Sequence, residues 1–244
     1  MSKVYCYTIT RASTPDRARL LNNTLTLGRN TADYEFHWHV HCNGSGSLGE
    51  HIVESAKAVG VIDSYTVSQD NEGQHPPANL AIKLALEEGY DYLLRVDDDV
   101  EWLSKRWLVR LIEASQALGD KLVLSPKVKG LRWLPPQSQT IEVEGVPIRI
   151  VEGPLGGICR LTPTSLLRLK PYVSDVRLAM GGGDAGGIEK WATRTKPIIP
   201  LAYCEHIRIR HAKTTNQQEK DDPKHFNDHA LFQVMPYIPV LPCE

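Results

Sequence analysis

Three consecutive carboxylates, Asp97, Asp98 and Asp99, follow directly on the apolar run Tyr92-Leu93-Leu94-Arg95-Val96. Adjacent carboxylates repel one another and are costly to hold together unless positive charge lies among them. A divalent cation is the usual solution, because hard ions take oxygen ligands. Tyr92 to Val96 reads as a short strand, and in an open α/β sheet ligands bind outside the carboxyl ends of the strands. Three acids at such an end point to a metal-dependent site that handles phosphate. The competing reading is a solvated acidic turn.

Two further groupings carry chemistry-bearing residue types. His37, His39 and His41 alternate along an expected strand, Glu35 to Cys42, and so share one face. Three imidazoles on one face suit a transition metal, but a partly solvated strand face beside a helix is the preferred reading. The segment from Asn43 to Gly49 satisfies G-x-G-x-x-G through Gly44, Gly46 and Gly49, between that strand and a helix from Leu48 to Val59. It follows the second strand rather than the first. The strand before it is also not the near-continuous apolar run of a central parallel strand. A Gly/Ser-rich turn therefore reads better than a nicotinamide or flavin site.

The elements that must position these residues alternate. Val4 to Thr10 reads as a first strand of β-branched and aromatic residues. Ser13 or Thr14 caps a helix from Arg17 to Leu27, with Pro15 in its first turn and Gly28 as its stop. Val61 to Ser68 is a third strand, and a polar loop, Gln69 to Pro77, leads into a helix from Ala78 to Glu88 closed by Gly89. The polar residues of that helix, Asn79, Lys83 and Glu87, form one narrow stripe, so its other faces are buried. After the acids, Ser104 caps a helix from Lys105 to Leu118, and Lys121 to Val128 is another strand. Alternation of this kind predicts a mostly parallel sheet covered on both faces.

The second half departs from alternation. Ile141 to Ile150 reads as a hairpin turning at Glu144-Gly145. Leu155 to Leu161 reads as a strand whose glycines allow close backbone approach. Thr164 starts a short helix that ends before Pro171. A Gly-rich loop, Met180 to Gly187, carries Asp184 into a helix from Ile188 to Thr193. Two short strands, Ile198 to Ala202 and His206 to His211, precede a polar, then Pro-rich tail that reads as a lid.

Composition bounds the function. At 244 residues the chain can bury a sizeable core, and its net charge of −1 shows no basic excess for nucleic acid. Lys121, Lys127, Lys129, Arg132 and Arg149 are scattered basics that read as a solvated face rather than a patch for an anionic acceptor. Trp133, Tyr172, Trp191 and Tyr237 are more often packing than stacking platforms. Five cysteines with no C-x-x-C spacing read as reduced, packed thiols. With no apolar leader or membrane-length run, a soluble cytoplasmic protein is expected.

In order along the chain stand a strand ending in Thr-x-Thr-Arg, a strand ending in Asn-Gly-Ser, and Asn71-Glu72-Gly73 with Asn79 on the next helix. Then come the three acids, a Gly-Gly strand, a Gly-Asp loop opening a helix, and a late strand ending in His211. This order resembles a family 2 glycosyltransferase of the GT-A fold over about residues 3–213. The resemblance implies an α/β fold with a Rossmann-like, mostly parallel central sheet flanked by helices and a small antiparallel addition. It implies one domain over 1–213, with a nucleotide-sugar-binding half over 1–128 and an acceptor half over 129–213. Residues 214–244 form a tail or lid.

The resemblance also implies roles. Asp97 and Asp99 with His211 hold Mn²⁺ or Mg²⁺ on the diphosphate of a nucleotide-sugar. Thr8, Thr10, Arg11, Asn79, Asp97, Asp98 and Lys213 meet the donor, and Asp184 is the general base. The family's nucleobase-contacting Asp, at the end of the second strand, is replaced here by Cys42 or Asn43. The implied activity is metal-dependent, inverting sugar transfer from a UDP-linked donor to an acceptor hydroxyl. The acceptor has no readable code; a glycan, lipid carrier, protein and nucleic-acid base hydroxyl all stay open. A nucleotidyltransferase and a non-catalytic nucleotide or metal-binding module are the alternatives, although Thr8 to Pro15 lacks the glycine the former would want.

Overall fold

Short β-branched and aromatic runs separated by capped helices build one ten-stranded sheet with helices on both faces. The computed structural model describes residues 1–129, 137–152, 155, 158–169, 191–195 and 197–212. Its elements in chain order begin with β1 (Val4–Thr10), α1 (Pro15–Ala32), β2 (His37–Asn43), α2 (Gly46–Ala58), β3 (Ser64–Ser68) and α3 (His75–Glu87). Then come β4 (Tyr92–Val96), β5 (Val100–Trp102), α4 (Trp107–Ala117), β6 (Val123–Lys129), β7 (Gln137–Val143) and β8 (Val146–Val151). The last three are β9 (Cys159–Pro163), α5 (Thr164–Leu169) and β10 (Leu201–His211).

The strand order is β3-β2-β1-β4-β9-β6-β10-β8-β7, with β5 paired to β10. β1 lies between β2 and β4, parallel to both. The chain leaves β1 toward β2 and β3, then returns across the sheet to β4, so β1 and β4 flank the topological switch point. An open α/β sheet offers its ligand crevice at that point, beyond the strands' carboxyl ends. Thr10 and the three acids lie there. α1, α2 and α4 cover one face, and α3 with α5 covers the other.

The second half is more antiparallel than strand–helix alternation alone would give. β9 inserts antiparallel between β4 and β6. The β7–β8 hairpin, turning at Glu144 (φ 50°) and Gly145 (φ 78°), joins the sheet through β10. β10 is one strand where two were expected. Its register against β6 shifts between Cys204 and Arg208, and that irregularity produced the apparent break. The shift also re-aims the strand: Leu201 to Cys204 pair with β8, whereas Ile209 to His211 pair with β5.

Two further expectations are corrected. Gly28 does not stop α1, which continues to Ala32 and ends on Asp33 in a left-handed conformation. Gly28 is needed for space: a Cβ there would lie 2.7 Å from Trp38 Cη2 and 2.9 Å from Trp102 Nε1. Trp107 Nε1 also donates to its carbonyl (3.0 Å). Ser104 does not cap α4; its hydroxyl instead accepts from the Arg208 backbone N–H of β10 (2.9 Å). Thr14 does cap α1, accepting from Arg17 N. The four cysteines among the described residues, Cys6, Cys42, Cys159 and Cys204, are buried free thiols.

His37, His39 and His41 do share a face, and the parallel strand β3 faces them with hydroxyls. His37 Nε2 meets Ser64 Oγ (2.8 Å), and His39 bridges Ser64 Oγ (2.9 Å) and Thr66 Oγ1 (3.2 Å). His41 bridges Thr66 Oγ1 (2.7 Å) and Ser68 Oγ (3.3 Å). This is a continuous hydrogen-bonded ladder. Burial, with the neighbouring His41 and His37, pushes His39 down from 6.5 to about 4, and burial also lowers His41. An unfolded histidine takes its proton near 6.5, so the ladder's contribution is complete above that pH and is lost as pH falls toward 4. The melting temperature is expected to fall steadily over that interval, with a shallower fall in His39→Gln. A melting temperature indifferent to acid, or an unchanged slope in the variant, contradicts this.

Candidate functional site

The acidic turn between β4 and β5 is built around Asp98, which is 5% exposed. Its Oδ2 accepts from Thr10 Oγ1 at the end of β1 (2.6 Å), and its Oδ1 accepts from Arg17 Nη2 in the first turn of α1 (2.6 Å). Thr24 Oγ1, one face further along α1, donates to the carbonyls of Asp98 (3.2 Å) and Val100 (3.0 Å) and accepts from Val100 N (2.9 Å). Both oxygens of Asp98 are therefore occupied within the protein. Burial pushes this carboxyl up to about 6, helped by Asp99 and opposed by Arg17 and Thr10.

Asp99 is arranged differently. Its Oδ2 is shared between Arg17 Nη1 (3.1 Å) and His211 Nε2 (3.0 Å). Its Oδ1 is buried and has no hydrogen-bond partner among the described residues. A buried carboxylate oxygen without a donor is unusual and asks for an unseen partner. The re-aimed end of β10 supplies this pairing: His211 lies opposite Val100, and Ala212 N donates to Asp99 O (2.8 Å). The hydrogen bond to Asp99 raises the His211 pKa against the effect of burial.

Asp97 faces another way. Its Oδ1 accepts from the Arg95 guanidinium of the same strand face (3.2 Å from Nε), and Arg95 Nη2 donates to Gln74 Oε1 before α3 (3.0 Å). Asp97 N donates to Ile158 O at the start of β9 (2.8 Å). Each acid thus has a cationic neighbour. In the sequence Arg17 and Arg95 stand only as parts of a helix and a strand, although three adjacent carboxylates are themselves a signal that cations must be near.

The other sequence-derived residues divide. Thr8 is fully buried, and its hydroxyl accepts from Trp38 Nε1 (3.0 Å), so it faces the core. Arg11 is half-buried just beyond β1, and Asn79 is half-buried in the second turn of α3. Asp184 and Lys213 lie outside the described residues, as do Arg132, Trp133, Tyr172, Tyr237 and nearly all of the tail. Of the scattered basics, Lys127 and Arg149 both pair with Glu205.

The Gly-rich segment is a tether. Gly44 has φ 68°, and a Cβ there would come within 2.8 Å of Asn71 N. Asn43 donates from Nδ2 to Asn71 Oδ1 (2.9 Å) and Gly73 O (2.8 Å) and accepts from Glu72 N (2.7 Å). The end of β2 thereby fixes the polar loop before α3. Ser45 Oγ likewise donates to Thr10 O (3.0 Å) and accepts from Ala12 N (3.1 Å), joining this turn to the exit of β1.

A divalent cation fits part of this arrangement. Among the described residues no group of three or more His, Cys, Asp or Glu side chains converges as a complete metal cage. Asp99 Oδ1 is nevertheless a hard oxygen with no hydrogen-bond partner among the described residues, and His211 lies beside it. Mg²⁺ in particular is usually held by one or two carboxylates plus substrate phosphates rather than by an all-protein cage. No helix among the described residues is long and apolar enough to cross a membrane.

Solved structures similar to this chain include glycosyltransferases of the GT-A fold, and the chain has that fold. The mannosyltransferase PcManGT of Pyrobaculum calidifontis, solved with GDP-Man and Mn²⁺, matches with a TM-score of 0.59 at 15% identity, over 97% of this chain and 65% of its own. S. aureus TarS matches with a TM-score of 0.58 at 16% identity, over 89% of this chain and 38% of its own. GalNAc-T7, solved with UDP, GalNAc and Mn²⁺, matches with a TM-score of 0.58 at 11% identity, over 88% of this chain and 45% of its own. The chain therefore spans between about two fifths and two thirds of the length of these proteins. No protein-family model and no curated protein sequence matches it.

The two buried acids separate by role, and stability resolves them. Asp98→Ala strands Arg17 and Thr10 and is expected to cost about 2–4 kcal/mol in urea unfolding. Asp99→Ala removes a like charge beside Asp98 and is expected to cost less than about 1 kcal/mol. The reverse order contradicts Asp98 as the anchor of the turn.

Proposed function

We propose that the protein is a metal-dependent, inverting glycosyltransferase that moves a sugar from a nucleoside-diphosphate sugar to an acceptor hydroxyl, with UDP as the donor nucleotide. The observation that carries this reading is Asp99 Oδ1. It is a buried carboxylate oxygen with no partner among the described residues, beside His211 at the switch point of a GT-A sheet. Among solved structures of similar fold, S. aureus TarS 1–349 carries UDP-GlcNAc, PcManGT carries GDP-Man with Mn²⁺, and GalNAc-T7 carries UDP, GalNAc and Mn²⁺.

In this reading Asp99 and His211 hold Mn²⁺ or Mg²⁺, and Asp97 stands by at the ribose or the cation. The cation supplies charge neutralisation for the departing diphosphate. Thr10 and Asp98 hold the turn that presents Asp99, while Arg11, Asn79 and Lys213 are the proposed donor contacts. Asp184 takes the proton of the acceptor hydroxyl as its oxygen attacks the anomeric carbon. The new C–O bond forms on the face opposite the breaking bond to the diphosphate, so one base gives inversion in one step.

Thermal unfolding against UDP, GDP, CDP, ADP and dTDP, each with and without Mn²⁺, tests the donor site. Ligand at about a hundred times its dissociation constant adds about 2.7 kcal/mol, and the expected result is a shift with UDP only when Mn²⁺ is present. In Asp99→Ala the Mn²⁺ requirement should vanish along with the shift. Asp184→Asn should keep the shift and lose turnover. Equal shifts with and without metal contradict the metal assignment, and full turnover by Asp184→Asn contradicts the base assignment.

A further inference from the structure

Arg17 occupies an unexpected position for a cation. It sits in the first turn of α1, where the helix dipole already presents positive charge and an acidic residue would be favoured. Its guanidinium forks across the acidic turn, 2.6 Å from Asp98 Oδ1 and 3.1 Å from Asp99 Oδ2, and its side chain is 27% exposed. The Asp99 side chain is 10% exposed and keeps its other oxygen unpartnered among the described residues. One oxygen of Asp99 is thus held by a fixed positive charge, while the other is buried with no partner among the described residues.

We propose that Arg17 is the resident counter-ion of the acidic turn and keeps cation affinity low until a diphosphate arrives. This rests on the function proposed above. A divalent ion held by Asp99 Oδ1 would be repelled by the guanidinium on the same carboxylate's other oxygen, the more so because both side chains are largely shielded from water. A donor diphosphate brings the negative charge that offsets this repulsion. Cation and nucleotide therefore bind as a pair, and Arg17 sets that pairing through its charge. With no donor bound, Arg17 also spares Asp98 and Asp99 from facing each other without a cation between them.

The test is Mn²⁺ binding to the full chain, read as loss of the free Mn²⁺ electron paramagnetic resonance signal, with and without UDP. Arg17→Gln is expected to bind Mn²⁺ without nucleotide about tenfold or more tightly than wild type. The enhancement of Mn²⁺ binding by UDP should shrink by the same factor, because the coupling is reciprocal. Arg17→Met, which keeps the apolar stem, should behave like Arg17→Gln. Arg17→Lys keeps the charge and should stay within about threefold of wild type without nucleotide. If neither neutral variant folds, the lysine variant decides: tenfold weaker nucleotide-free binding there assigns Arg17 to orienting Asp99 and overturns the proposal. Unchanged or weaker nucleotide-free binding in the neutral variants overturns it too. Wild-type protein to which neither UDP nor GDP brings Mn²⁺ fails the proposed function itself, and the counter-ion role with it.

Discussion

A carboxylate taken out of water must have both oxygens met, and the organisation of this protein's site follows from how Asp98 meets that demand. Thr10 comes from the end of β1, Arg17 from the first turn of α1, and Asp98 from the turn after β4. The exit of β1 and the start of α1, adjacent in the chain, are thereby locked to a turn 81 to 88 positions further on, at the sheet's switch point. Thr24 completes the lock by holding the backbone on either side of Asp99. With Asp98 spent inward, Asp99 is held through one oxygen while the other, buried, has no partner among the described residues. An acidic turn anchored by its middle residue can present the next one.

The surrounding fold supplies the remaining partners. The register shift in β10 turns its end toward β5, which places His211 on Asp99. α1 approaches β5 closely because Gly28 leaves room for Trp38 and Trp102, and the same approach brings Arg17 and Thr24 to the turn. On the opposite face the histidine ladder binds β2 to the edge strand β3, and Asn43 fixes the loop that follows. A packing contact in the core and a polar contact at the rim thus serve the same geometry.

Much of this was legible from residue types. β1 and β4 have the bounds that the β-branched and aromatic runs predict, and the three acids fall at a strand's carboxyl end as the pattern requires. The GT-A resemblance rested on the order of motifs, and the fold agrees with it. What escaped the sequence was long-range. Arg17 lies 81 positions from Asp98, and nothing local marks their pairing. Gly28 looked like a helix stop because its function is to accommodate two indole rings that only the tertiary structure brings near. β9 reads as a strand, but its antiparallel place between β4 and β6 depends on pairing that no period reveals. The polar Glu205-His206 step hid the continuity of β10 in the same way.

The central claim is that Asp99 and His211 hold a cation that also touches the donor diphosphate. Electron–nuclear double resonance of Mn²⁺ bound with UDP tests it most directly. The account predicts ³¹P coupling from the diphosphate together with ¹⁴N coupling from an imidazole, the latter lost in His211→Gln. Protein-bound Mn²⁺ that shows phosphorus coupling but no imidazole nitrogen, or a nitrogen signal that survives in His211→Gln, would contradict it.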